Sequence, residues 1–273
     1  MNEEAKGERI AKRLSRAGVC SRREAERMIA DGRVSIGGQT IDTPATLVTD
    51  ADIIAVDGKE IAAPERARLW RYHKAPGILC TNRDPQERPT LFEQLPKDLP
   101  RVMLVGRLDF NSEGLILLTN DGALARKLEL PETGWVRRYR VRVYGAPEKK
   151  ALAALADGVT VEGVRYGPIE AFLEQKQARN SWLSVTLREG KNREIRRVME
   201  HIGLKVNRLI RVSYGPFHLG NLARGDLREV PAHVIADQTG AERAAHTRPK
   251  PRKRPAGRKK AGVRKHAHRR RNP

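Results

Sequence analysis

Cysteine, aromatic residues and long apolar runs are all scarce in this chain of 273 residues. Its two cysteines, Cys20 and Cys80, are too few for a disulfide framework and lack the spacing of metal ligands. We therefore expect two free thiols in a reducing compartment. No apolar run reaches the length of a membrane span, and the segment MNEEAKGERIAKR has no signal-peptide core. These absences predict a soluble cytoplasmic protein without a membrane partner.

Negative charge is the other shortage. The chain holds 33 acidic residues against 54 lysines and arginines, which gives a formal net charge of +21. Residues 238–273 contain 14 of those cations and one glutamate, and the remainder of the chain is still basic. This balance favours a polyanionic partner, nucleic acid before a membrane surface, over a mere gain in solubility. Because residues 238–273 are almost free of apolar side chains, we expect a disordered basic tail there.

The first 62 residues predict two short helices followed by a hairpin. Ile10 and Leu14 have helical spacing, and Gly18 can end that helix. Ser21, three residues before Glu24, has the form of a capping box that begins a second helix. The stretch VSIGGQTI then reads as a hairpin whose paired glycines tolerate a tight turn.

Cations are dense on both predicted helices. For any single arginine a solvated charged face is the better explanation, but the density favours contact with RNA phosphates. The stretch RIAKRLSRAGVCSRREAERMIADGRVSIGG resembles the S4 RNA-binding domain, which implies binding to structured RNA but names no activity. The side chains expected to contact RNA here are Arg9, Lys12, Arg13, Arg16, Arg22 and Arg23.

A linker over residues 63–67 is expected to separate this domain, 1–62, from a second domain, 68–237. The second domain mixes strand-like with helix-like segments without regular alternation, which predicts an α+β fold. The strand-like segments are 101–105, 115–118, 136–144, 182–187 and 206–212. The helix-like segments are 122–128, 148–155 and 192–202.

Known cofactor and metal motifs are missing, so any chemistry should come from side chains alone, with no cofactor and no metal. Asp109 lies in GRLDFNSEGLILLTNDG, where an aspartate usually bonds local backbone amides. Flanking apolar strands could also hold its carboxylate for catalysis. Paired with Glu113 it could serve a hydrolase, the alternative ranked last. Asp121, in the same stretch, is expected to begin a helix.

Two further segments carry candidate site residues. Strand alternation in VRRYRVRVYG puts Tyr139 on the side of Val141 and Val143, either as a core aromatic or as a ring that stacks on a base. In REGKNREIRRVMEHIG an apolar stripe predicts a packed helix. Arginines flank that stripe and could pair with a carboxylate, with phosphate or with solvent. They are Arg193, Arg196 and Arg197.

The stretch Gly106–Gly122 resembles the signature of RNA pseudouridine synthases, in the branch named for ribosomal small-subunit-A and large-subunit-B enzymes. The chain supplies Gly-Arg-Leu-Asp, Ser112, Gly-Leu and Thr-Asn-Asp-Gly at the matching places. RYHKAPGILCTNRDPQERPT resembles the first family motif, with Ala75 where the lysine is usually followed by proline. EGKNREIRRVME resembles the third motif and YGPFHLGNLARGDLREV the closing segment.

The resemblance implies a mixed, mainly antiparallel sheet with flanking helices and a role for each matched residue. Asp109 matches the essential aspartate, Tyr139 the tyrosine that packs on the target base, and Arg196 the arginine that pairs with the aspartate. Arg107, Arg193 and Arg197 are expected to bind RNA. The expected activity is isomerisation of uridine to pseudouridine in ribosomal RNA by a monomer, with 23S RNA favoured over 16S RNA. A non-catalytic S4-type assembly factor stays the alternative from another class.

Overall fold

The computed structural model describes residues 7–239. Most of the predicted disordered tail, from residue 240 onward, lies outside the described residues. Within those residues, no helix is both long and apolar enough to cross a bilayer. Cys20 and Cys80 are both free thiols, as expected.

The N-terminal region consists of two helices and six short strands. The helices are α1 (Ile10–Arg16) and α2 (Arg22–Ala30). The strands are β1 (Glu8–Arg9), β2 (Val34–Ile36), β3 (Gln39–Thr40), β4 (Leu47–Val48), β5 (Ile54–Val56) and β6 (Lys59–Glu60). Ser21 caps α2 by accepting the backbone N–H of Glu24, and β2 and β3 form the predicted hairpin. A separate small core holds this region together, with Ile10, Leu14 and Ile29 fully buried.

The second region is built on a nine-stranded sheet, and only β9 and β15 pair in parallel among its strands. Its order is β13-β14-β10-β15-β9-β7-β17, with β8 beside β9 and β16 beside β15. The first four strands of this region are β7 (Leu69–Lys74), β8 (Met103–Val105), β9 (Ser112–Thr119) and β10 (Arg137–Tyr144). Those that follow are β11 (Val159–Val161), β12 (Val164–Tyr166), β13 (Ile169–Gln177), β14 (Asn180–Leu187), β15 (Lys205–Tyr214), β16 (Phe217–His218) and β17 (Leu227–Glu229). The predicted mixed, mainly antiparallel α+β fold is confirmed.

Helices cover both faces of this sheet. They are α3 (Gly122–Glu129), α4 (Lys149–Ala154), α5 (Glu194–His201) and α6 (Ala232–Thr239), and single 3-10 turns lie at Phe92–Gln94, Pro131–Thr133 and Leu155–Asp157. Strand alternation sends Ile116 into the core that contains α4 and α5 and Leu117 into the core that contains α3 and α6. Asp121 caps α3 as predicted, by accepting the N–H groups of Ala123 and Leu124. The last helix extends two residues beyond the expected domain end at 237.

Gly114 lets the two parallel central strands approach each other. Its φ is +105°, and a Cβ at this position would lie 2.7 Å from the backbone nitrogen of Arg211, with the Arg211 carbonyl oxygen closer still. Real Cβ atoms do not tolerate such contacts, so only glycine fits between β9 and β15. The residue thereby fixes how the loop before β9 sits against β15.

Candidate active site

A cleft of about 900 Å³ opens on the sheet face that carries Tyr139. Its walls are the loop around Arg107 and Asp109, strand β10, the loop before α5, and β15. The volume is in the range of sites that hold a small molecule. Among the described residues, no group of histidine, cysteine, aspartate and glutamate is arranged to hold a metal ion.

Asp109 lies in the loop between β8 and β9, at the cleft wall. Its backbone carbonyl accepts the N–H of Ser112 at 3.0 Å, so the loop turns immediately into β9. The side chain is 28% exposed, which leaves its carboxylate accessible from the cleft. The aspartate is therefore both a turn residue and a group open to a ligand.

Arg196 joins α5 to the Asp109 loop, as the resemblance implies. Its Nε lies 3.9 Å from Asp109 Oδ2, while Nη2 donates to the carbonyl of Asn111 at 3.1 Å. Nη1 donates to the carbonyl of Val206 at 3.3 Å. Burial lowers the pKa of Arg196, nearby Arg193 acts in the same direction, and Asp109 opposes both. The guanidinium thus faces the carboxylate without a close hydrogen bond to it.

Lys74 holds the Asp109 loop by hydrogen bonds to its backbone carbonyls. The sequence analysis did not identify this residue. The side chain is fully buried at the end of β7. Its Nζ donates to the carbonyls of Ala75, Phe110 and Ser112 at 3.0, 3.2 and 2.7 Å. Burial lowers the pKa of Lys74 to about 8, so the group is still mostly protonated at neutral pH and can make all three bonds. Two of these bonds, to Phe110 and Ser112, hold the residues that follow Asp109 in the turn.

Tyr139 lies on the cleft side of β10, as strand alternation predicts. It is 8% exposed and shares its face with Val141 and Val143, whereas Arg138 and Arg140 are exposed on the other face. The ring also lines the cleft. Tyr139 is consequently a core aromatic that also borders the site.

Cations surround the cleft entrance. Arg107, Lys191 and Arg193 line it, and Arg193 adopts the left-handed conformation with φ +51° at the start of α5. For a residue with a Cβ that conformation carries strain, which is common at ligand sites. Arg197, one turn further on, is not part of the lining.

The carboxyl of Glu194 lies at the same end of α5 and is nearly fully buried. Burial raises the pKa of Glu194 to about 7, and the neighbouring Glu189 adds to the rise. Its Oε2 accepts the backbone N–H of Lys191 at 2.9 Å, which holds the loop 188–193 against the helix. Glu113, the alternative partner for Asp109, is instead held away from the cleft by Arg208 and Arg224. No carboxylate pair of the hydrolase type therefore forms from Asp109 and Glu113.

The cations of the N-terminal helices differ in how free they are. Arg9, Arg22 and Arg23 are exposed. Lys12 lies 3.2 Å from Glu8, and Arg16 donates to the same carboxylate at 2.7 Å. Arg13 is buried and donates to Asp50 and Glu8. Through these contacts Arg13 links α1 to the residues around it. A contact between Arg13 and RNA stays a prediction.

A second cavity, of about 340 Å³, lies between the N-terminal helices and α3. Lys12, Arg16 and Arg22 line it from one side, and Arg101 and Arg126 from the other. Asn82, Leu104 and Glu129 line both cavities. A basic surface therefore runs from the N-terminal helices to the cleft.

Comparison with known proteins agrees with this arrangement. Residues 68–201 match the family profile described as RNA pseudouridylate synthase, and residues 8–54 match the S4 domain. An uncharacterized RNA pseudouridine synthase of Rickettsia bellii is 49% identical over 223 residues, which cover 82% of this chain and 96% of the relative. The ribosomal large subunit pseudouridine synthase B of Pasteurella multocida is 42% identical, covering 84% of this chain and 68% of the relative.

The chain belongs to the RNA pseudouridine synthase family. A crystal structure of a pseudouridylate synthase superposes with a TM-score of 0.59 and 24% identity, covering 84% of this chain and 99% of the other, which supports the fold. This RNA pseudouridine synthase is thus an isomerase that acts on RNA and carries an S4 domain at its N-terminus.

Lys74, Arg137 and Arg211 are residues of the synthase site that sequence reasoning did not single out. Lys74 stands in the quoted first motif, so a signal was present. Arg137 and Arg211 line the cleft from β10 and β15. Their strands were expected, but nothing local marks which face of a strand will border a cleft.

Proposed function

We propose that the protein isomerises a uridine of large-subunit ribosomal RNA, with Asp109 as the catalytic carboxylate. The observation that carries the proposal is the accessible Asp109 carboxylate, facing Arg196 in a basic cleft beside Tyr139. The name of the Pasteurella multocida relative supports the large subunit as the source of the RNA. The enzyme would work as a monomer in the cytoplasm and need no cofactor.

The chemistry requires the N1–C1′ bond of uridine to break, the base to turn, and C5 to join C1′. A carboxylate can attack C1′ as a nucleophile or stabilise positive charge there, and both roles need an ionised group. The Arg196 guanidinium, 3.9 Å from Asp109 Oδ2, places a positive charge beside the carboxylate and limits its rotamers. Because that distance is longer than a hydrogen bond, the carboxylate can move to the sugar without first breaking a strong pair.

Tyr139 and the cations around it would hold the nucleotide. The Tyr139 ring lines the cleft and offers a surface on which the detached base can stack while it turns. A stacked uridine is out of reach of Asp109, so the nucleotide must be everted from its helix at a cost of a few kcal/mol. Contacts between RNA phosphates and Arg107, Lys191, Arg193 and the S4 domain would offset that cost.

The direct test is Asp109→Asn, assayed for pseudouridine in ribosomal RNA. We expect no detectable product from the variant, because an amide can neither attack C1′ nor carry the negative charge. Asp98→Asn is the matched control, since Asp98 is exposed and outside the cleft, and it should behave as wild type. Wild-type activity in Asp109→Asn would remove Asp109 from the mechanism.

The RNA is identified by mapping pseudouridines in ribosomal RNA from cells that lack the protein. Loss of a single pseudouridine from 23S RNA is the expected result. Loss from 16S RNA instead would contradict the large-subunit assignment and leave the activity intact. If no pseudouridine disappears, the protein is a binding factor and the proposal fails.

A further inference from the structure

Arg211 is a buried cation at the cleft for which the folded chain supplies no countercharge. It is 3% exposed. Its Nε donates to the carbonyl of Leu115 at 2.7 Å, and its guanidinium lies 5.2 Å from the centre of the Tyr214 ring. Among residues 7–239, no hydrogen-bond partner exists for Nη2, and no carboxylate lies within ion-pair distance. Part of this guanidinium is therefore unsatisfied.

The other buried arginine among the described residues, Arg13, shows how the fold can satisfy such a charge. Arg13 pairs with both Asp50 and Glu8. An unpaired charge in the interior is destabilising, because no partner replaces the hydration that it loses. Arg211 lines the cleft, and only some of its N–H groups have acceptors within the protein. A ligand in the cleft could supply the missing acceptor.

The position of Arg211 indicates which part of the ligand it meets. It is the register partner of Tyr139 on the neighbouring strand, and both side chains line the cleft. The glycine at position 114 brings β9 against the backbone of Arg211, which ties this arginine to the strand that follows the Asp109 loop. Arg211 thus lies next to Tyr139 in the cleft wall, whereas Arg196 faces the Asp109 carboxylate.

We propose that Arg211 stabilises the negative charge that the uracil carries when its bond to the sugar breaks. This inference rests on the proposed function and adds a residue to it. The electron pair of the N1–C1′ bond goes to the base, which leaves as an anion with charge shared among N1, O2 and O4. Asp109 forms the new bond to C1′. C5 then attacks C1′ and returns that electron pair to Asp109, after which C5 loses its proton and N1 gains one.

A donor aimed at charge that develops during the reaction contributes far more to the rate than to substrate binding. Arg211→Met should therefore lower the single-turnover rate on uridine RNA by about 10²-fold, the usual loss for one such donor, with little change in RNA affinity. Arg211→Lys keeps the charge and should lose less. Thermal unfolding of each variant is followed in parallel, and Arg211→Gln replaces Arg211→Met if the latter does not fold.

The decisive comparison uses the same RNA with 5-fluorouridine at the target. Fluorine makes the base more acidic, so its anion needs less help from the protein. The single-turnover rate is followed as the appearance of the C–C-linked product, which keeps its fluorine because C5 has no proton to lose, and which adds water at C6. The defect of Arg211→Met, relative to wild type, should shrink several-fold on this RNA. An equal defect on both RNAs would show that Arg211 has a purely structural task and overturn the inference.

Arg142→Met is the matched control. Arg142 also has a buried Nε without a partner among the described residues, but it lies on the opposite sheet face and outside the cleft. Its rates on both RNAs should equal those of wild type. Asp109→Asn, run beside it, separates the two proposals. If Asp109→Asn is inactive and Arg211→Met retains the wild-type rate, only the role of Arg211 fails.

Discussion

The guanidinium of Arg196, on α5, contacts both the Asp109 loop and strand β15. It faces Asp109 and donates to carbonyls of the Asp109 loop and of β15. A lysine keeps the charge but lacks the planar set of donors that reaches separate acceptors. Arg196→Lys should therefore leave Asp109 beside a positive charge yet poorly oriented. We expect kcat to fall by about 10²-fold or more with KM nearly constant, because misplacement costs the chemical step. Steady-state kinetics on ribosomal RNA would measure this.

Arg140→Lys is the control for that substitution, because Arg140 pairs with Glu174 on the far face of the sheet. Its kinetics should match those of wild type. If Arg196→Lys raises KM alone, Arg196 contributes to RNA binding and does not orient the aspartate.

Single residues were predictable from sequence only where a pattern or a motif marks them. Alternation along VRRYRVRVYG places Tyr139 on the buried side of its strand. The family motifs mark Asp109 and Arg196 as partners, and the two side chains face each other in the structure. Arg208 and Arg211 stand three positions apart on β15, so alternation separates their faces, but which face borders the cleft depends on the partner strands. The pairing of β10 with β15 contains two register shifts, and these shifts help to decide which β15 side chains face the cleft. Local sequence does not reveal such shifts.

At the scale of elements, the contact between β9 and β15 depends on one glycine. Gly114→Ala would introduce a Cβ into the backbone of Arg211 and force a positive φ on alanine. Overpacking and backbone strain together should lower the free energy of unfolding by about 3 kcal/mol or more. Urea unfolding measures the loss.

Gly163→Ala isolates the strain alone, because Gly163 has φ +78° in an open turn where an added Cβ would meet no other atom. We expect a cost of about 1 kcal/mol there. Equal costs for the two substitutions would mean that the strands move apart to accept the extra methyl, and that Gly114 does not determine their spacing.

Helices and strands with clear periodicity were predicted within a few residues, whereas polar strands were missed. The helix expected at 192–202 is α5, and the strand expected at 136–144 is β10. β7, with the sequence LWRYHK, was missed because its buried lysine looks like a surface residue until the loop carbonyls around it are known. β13 was missed because beyond Ala171 all its side chains are exposed and most are polar, as in an edge strand or a loop.

At the scale of the whole molecule, charge distribution predicts how the enzyme holds RNA. The S4 helices, the second cavity and the cleft entrance form one basic surface, and residues 238–273 add 14 lysines and arginines. Each phosphate that a cation neutralises releases counterions, so the slope of log affinity against log salt counts those contacts. A chain that ends at residue 239 should bind ribosomal RNA more weakly at low salt and with a shallower slope.

The same truncation should leave the rate on saturating RNA unchanged, because every residue of the cleft lies before position 239. A second variant keeps the length of the tail but replaces its lysines and arginines with glutamine. If charge is what the tail contributes, this variant should reproduce the truncation in both slope and affinity. A slope equal to that of wild type in the truncated chain would show that the tail makes no contact with RNA phosphates. The S4 domain and the cleft would then account for all of the salt-dependent affinity for RNA.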